Sequence, residues 1–179
     1  MSNSSPYNKI DAATGTGSSP AISFTSIPQT YKSLIFMGQT QTTSSSDVFK
    51  LSQVAINTDY GAYYSQKSIF YYGGVATAKN FNAGTSWQIE PIVSDDASFG
   101  FQECLGWFEM VIPNYTQSSS SHVMQWDAGA MRDSTTHGME SQGGGSYYPA
   151  VNAAVTQVEF TLSSGNWTTL STITMYGLG

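Results

Sequence analysis

The strongest constraint on this chain is a hydrophobic period of two. Val158, Phe160 and Leu162 alternate with Glu159 and Thr161, and Ile173 and Met175 alternate with Thr172, Thr174 and Tyr176. Successive side chains of a strand point to opposite faces, so each run reads as one strand with a buried side and an open side. Ser163, Ser164, Gly165 and Asn166 between them are turn formers. The closing pair of strands is therefore expected to build the C-terminal end into a sheet.

The same period recurs upstream. Ile22 and Phe24 share a face over Ala21 to Ile27, and Pro28, which cannot donate to a ladder, ends that run. Phe108, Met110 and Ile112 face one way over Gly106 to Ile112, with Trp107, Glu109 and Val111 opposite. Glu109 in such a strand belongs at an edge or beside a partner, because an isolated buried carboxylate is costly. Leu34 to Met37 are consecutive apolars, so Tyr31 to Thr40 reads as a strand covered on both faces. Further runs are Val48 to Asn57, Ser68 to Val75, Trp87 to Val93 and His122 to Ala130, the last with Val123 and Trp126 as anchors. With turn signals between about eight or nine strands, the pattern predicts an all-β, antiparallel two-sheet β-sandwich. Its core is expected to hold Phe24, Phe36, Phe108, Met110, Ile112, Val158, Phe160, Leu162, Ile173 and Met175.

Composition points the same way. Charged residues are only 10% of the 179, against roughly 25% in an average soluble domain. Aromatics are 13%, too many for a disordered polar chain. The length fits one domain. Residues 21–179 read as that domain, and 1–20 as an N-terminal arm of floppy composition pinned by Pro6, Tyr7 and Ile10. The arm lies either on its own sandwich or on a neighbour.

Three stretches stand out: the closing strand–turn–strand ends in Met175-Tyr176-Gly177, Ala55 to Gln66 reads AINTDYGAYYSQ, and Phe108 to Tyr115 reads FEMVIPNY. Together they resemble small virion structural proteins of tailed bacteriophages. The matches run in order from about Ala21 onward. Leu170 and Met175 depart from the family's usual Gly and Leu. The resemblance implies a jelly-roll-like sandwich with an extended N-terminal arm, used as a capsid decoration (cement) subunit or as a head-fibre or tail-appendage module. It implies a homo-oligomer partnered by its own copies and by major capsid or other virion proteins, assembled in the host cytoplasm.

The residues exclude other classes. Net charge is −6 with no cationic cluster to release counterions from a phosphate backbone, so nucleic acid is not an expected partner. The charge is uneven: five Lys and three acids up to Lys79, then one Arg and nine acids. No apolar run approaches the ~20 residues of a membrane span. Cys104 is the only cysteine, so no intrachain disulfide forms, and beside Leu105, Trp107 and Phe108 it reads as a small buried hydrophobe.

Chemistry is sparse. His122, His137, Asp127, Asp133 and Glu140 match no metal-ligand spacing, and Asn57-Thr58-Asp59-Tyr60-Gly61 is a turn rather than a calcium loop. No catalytic constellation is expected, no cofactor and no enzyme activity. Arg132 to Tyr148, with Gly143-Gly144-Gly145, reads as a long loop of the kind that makes contacts. Tyr60, Tyr63, Tyr64, Tyr71 and Tyr72 lie close together, and alternation should bury one of each adjacent pair. Such rings pack across strands, dominate protein interfaces, or stack on sugars. Pro6, Tyr7, Ile10, Tyr63, Tyr71, His137 and Tyr147 are thus candidate assembly contacts, with a host-surface glycan as the alternative partner. Flat contact patches matching a neighbour would favour assembly, and a concave groove lined by Tyr or Trp, with Asn and Asp at its rim, would favour the glycan.

Overall fold

The computed structural model describes residues 6–44, 49–94, 104–131 and 138–179. They form twelve strands and no helix: β1 Tyr7–Thr14, β2 Ala21–Phe24, β3 Ser33–Thr42, β4 Phe49–Ile56, β5 Tyr64–Tyr72, β6 Val75–Gly84, β7 Trp87–Ser94, β8 Gly106–Pro113, β9 His122–Met131, β10 Gly138–Tyr147, β11 Val158–Leu162 and β12 Thr172–Leu178. The larger layer runs β1-β12-β3-β8-β9-β10-β5-β6, antiparallel throughout. The smaller runs β2-β11-β4-β7, also antiparallel. The end of β3 pairs in parallel with β7 through Gln41–Val93 and Thr42–Ser94, so one strand joins both layers.

The layers close on the alternating residues. Phe36 and Phe108 of the large sheet meet Phe24 and Phe160 of the small one, with Phe36–Phe160 and Phe108–Phe160 ring centres 5.3 and 5.4 Å apart. Gly38 makes room, since a Cβ there would lie 2.2 Å from the Phe108 ring. All ten expected core residues are buried. Leu34, Ile35 and Phe36 are buried in succession, but Met37 is half-buried and Gln39 exposed, so β3 is not covered on both faces along its whole length as expected.

Several expectations need correction. Of the two placements expected for the arm, Tyr7–Thr14 takes the one on its own sandwich, as a strand paired to β12 from Tyr7–Leu178 to Thr14–Thr172. Ile10 packs on the core, while Pro6 and Tyr7 are exposed and Tyr7 meets Tyr176 edge-on. Ten residues of the expected 132–148 loop form β10, and Val75–Gly84 is a strand with almost no apolar alternation. Gly73 and Gly74, at φ of 57° and 80°, make the tight turn into it. Tyr71 and Tyr72 are both exposed, at 45% and 43%: Tyr71 lies on the outer face of its sheet, and Tyr72, at the end of β5, meets Phe49 of β4 edge-on. Val123 is exposed and Met124 takes its inward place beside Trp126. Cys104 is half-buried.

The triple glycine has a packing cause. Gly143 and Gly145 face inward beneath two indoles: added Cβ atoms would lie 2.8 Å from Nε1 of Trp126 and of Trp87 respectively. A strand that must pass under two tryptophans loses its side chains at those points and, with them, the sequence signal of a strand.

Candidate functional site

The large sheet is open to solvent on its outer face. There the register sets two rows of side chains side by side. One row reads Met37, Glu109, Asp127, Gln142, Ile69, and the next reads Gln39, Trp107, Gly129, Glu140, Tyr71. Trp107 stands 51% exposed on β8 and Tyr71 45% exposed on β5. Three strand steps separate them, roughly 14 Å at an ordinary inter-strand spacing. Between them lies a cleft of about 400 Å³ lined by both rings, Glu109, Asp127, Glu140 and Gln142. It continues past Trp107 toward Met37, Gln39, Thr172 and Thr174, and past Tyr71 toward Gly73 and Gly138.

Gly129 shapes this groove. A Cβ there would lie 2.7 Å from Trp107 Nε1 and 3.0 Å from its Cε2, so the indole lies over the bare backbone of β9. Glu109 and Asp127 are direct cross-strand neighbours, a like-charged pair that weakens a sheet. Among the described residues Glu109 is thus neither at an edge nor in an ion pair, and it stands exposed on the open face. Lys67, one row further along β5, is a cation that the register sets on the same face.

The other sequence-derived candidates separate. Tyr71 belongs to the groove. Tyr147 is 4% exposed and is no surface contact: its hydroxyl donates to Asp59 Oδ2 at 2.7 Å, its ring stacks near His122, and it lies against Tyr64. Desolvation, then the hydrogen bond to Asp59, pushes the Tyr147 hydroxyl well above the ordinary tyrosine range. Tyr64 is raised as well, chiefly by burial, and bridges Ile56 N and Asp59 O. Tyr63 is half-buried against the core. His137 lies outside the described residues, as does Asp133. His122 is buried on the inner side, whereas Asp127 and Glu140 are exposed outward, so these do not converge. Among the described residues, no three His, Cys, Asp or Glu side chains are placed to hold a metal.

On the outer face of the small sheet a second polar cluster forms. Tyr60 and Ser23 donate to the two oxygens of Glu159, the latter at 2.8 Å, and Thr161 adds a longer contact. Burial would raise the Glu159 carboxyl, but these donors outweigh it and hold it below 4.5. Tyr60 is pushed up to about 12 by its own desolvation and by the carboxylate it faces.

Period-two reasoning placed Trp107 and Glu109 on the side away from the core but did not connect them to β10. Glu140, Gln142 and Tyr71 join them only through pairings distant in sequence. No protein-family model matches the chain, and no curated protein matches it.

Proposed function

We propose that this chain is a non-enzymatic structural subunit of a tailed-bacteriophage virion, displayed on the particle surface. It would be of the jelly-roll-like class that decorates capsids and forms head-fibre or tail appendages. The observation that carries the reading is the open face of the large sheet, studded with exposed Trp107, Val123 and Tyr71. Exposed aromatics on a rigid sheet are what a recognition surface needs. The resemblance of Ala55–Gln66, Phe108–Tyr115 and the closing strands to such subunits supports the same class. Weak contacts to its own copies and to major capsid or other virion proteins, repeated by symmetry, supply strength through multivalency.

Decoration and adhesion use different surfaces of one subunit. The Tyr and Trp walls favour an outward-facing binding role for the groove, and cement contacts then fall on the edges β1 and β6 or on the small sheet. The test is quantitative mass spectrometry and immunogold labelling of purified particles from cells making the chain. The expected result is a fixed copy number per particle set by symmetry. Recovery of the chain only in the particle-free lysate would sink the reading.

A further inference from the structure

We infer that the groove between Trp107 and Tyr71 binds a carbohydrate that is neutral or amine-bearing, and rejects uronic, sialic or sulfated polymers. This deepens the reading above, since a displayed subunit would meet surface polysaccharide, but its chemistry stands on the groove alone.

Sugar rings present apolar C–H faces and a periphery of hydroxyls. The groove offers a match for each. Trp107 and Tyr71 give two exposed rings on stiff strands, fixed at opposite ends of the cleft. Rings held this way stack on apolar surface with little loss of side-chain freedom. Between them Glu109, Asp127, Glu140 and Gln142 line the floor and rim with acceptors. Hydroxyl donors to carboxylates make short, charge-assisted hydrogen bonds. Thr172, Thr174 and Gln39 continue the polar lining beyond Trp107.

Charge decides among ligand classes. Three carboxylates flank the cleft, and Glu109 and Asp127 already repel one another across the β8–β9 ladder. An anionic polymer adds to that repulsion. An apolar protein surface would strip water from the three carboxylates and return nothing, which is unfavourable for each ion left unpaired. A hydroxyl-rich chain replaces the lost water bond for bond. The ammonium of an amino sugar gains further from the carboxylates and from the ring faces.

The test uses the full-length chain on an array of neutral glucans, galactans and mannans, deacetylated glucosamine polymers, and uronate, sialylated and sulfated polymers, with hits measured by calorimetry. Saturable binding to at least one neutral or amine-bearing polymer is expected, and none to the anionic set. Trp107→Ala and Tyr71→Ala should each weaken it at least tenfold while leaving the melting temperature close to the parent's. Asp127→Asn should weaken it and also lower its discrimination against anionic polymers. Binding to no sugar, equal binding to anionic polymers, unchanged affinity in both aromatic variants, or capture of only a basic peptide would each overturn the inference. If the chain is a stoichiometric particle component yet binds no sugar, the groove assignment alone falls. If it binds sugar but joins no particle, the virion reading falls.

Discussion

Trp87 and Gly145 meet where the two sheets close. The indole Nε1 donates to the Ser146 carbonyl at 3.3 Å, and a Cβ on Gly145 would stand 2.8 Å from that nitrogen and 2.2 Å from the Ser65 carbonyl oxygen. One glycine therefore lets β7 lie over β10 and lets a fully buried tryptophan keep its hydrogen bond.

Gly145→Ala is expected to destabilise by about 1–3 kcal/mol, the usual range for overpacking a full core. Gly143→Ala should behave similarly, because its Cβ would meet Trp126 and Ser68. Gly144 points the other way, and its nearest contact is a carbonyl at 3.2 Å, so its alanine should cost least of the three. Thermal melts of the three variants check the order. Equal losses would mean that the glycines serve chain flexibility rather than indole seating.

The period-two runs made the core legible because burial on one face forces alternation. Phe108, Met110, Ile112, Phe160 and Met175 could be placed from pattern alone. The triple glycine was opaque for the reason just given: the apolar residues that fill the β10 positions come from Trp87 and Trp126. β6 was hidden because it lies at a sheet edge, where nearly every residue is exposed and no alternation is imposed. β1 escaped notice because its stability comes from pairing with β12 more than 150 residues away. Half of the groove was readable as the outward side of β8. Its other half needed the register of β9, β10 and β5, which no local pattern encodes.

Phe160→Ala should be among the most damaging single changes. Its ring lies fully buried among Phe24, Phe36 and Phe108, and truncating such a residue typically costs ~3–5 kcal/mol. Denaturant unfolding measures it. A midpoint like the parent's would mean that the β11 phase is shifted by one residue.

Tyr147→Phe tests the buried side of the Asp59 turn. Losing the hydroxyl leaves Asp59 Oδ2 without that donor, and a cost of about 1–3 kcal/mol is expected. The variant should still join particles at the parent's copy number, because Tyr147 offers no surface to a neighbour. Selective loss of incorporation with unchanged stability would restore it as an assembly contact.

The Tyr60–Glu159 pair sets opposite limits on pH. Glu159 is held below its ordinary value, so its contribution is present above pH 4.5 and fades as pH falls through its folded value. Tyr60 is raised from 10.0 to about 12, so its contribution is present below pH 10 and fades as pH climbs toward 12. Glu159→Gln should flatten the acid limb of stability and soften the alkaline one. Urea midpoints across the pH range report this, and curves superimposable on the parent's would show that the contact carries no linkage.

Removing residues 1–14 should lower stability by ~1–3 kcal/mol, since Ile10 and Ala13 leave the core's flank and β12 becomes an edge. Calorimetry of the truncated chain checks this. An unchanged melting temperature, with assembly lost, would instead make these residues a clasp for neighbouring subunits.

The short parallel contact between the end of β3 and β7 has a mechanical consequence. Since a single strand is stitched into both layers, the layers cannot slide past each other unless the rungs at Gln41–Val93 and Thr42–Ser94 shear. Tension entering through β12 reaches β3 as lateral load on its antiparallel ladder and passes from there to the opposite layer. Under a tug the sandwich would resist as one brick, and yielding would begin at whichever margin is held by fewest rungs.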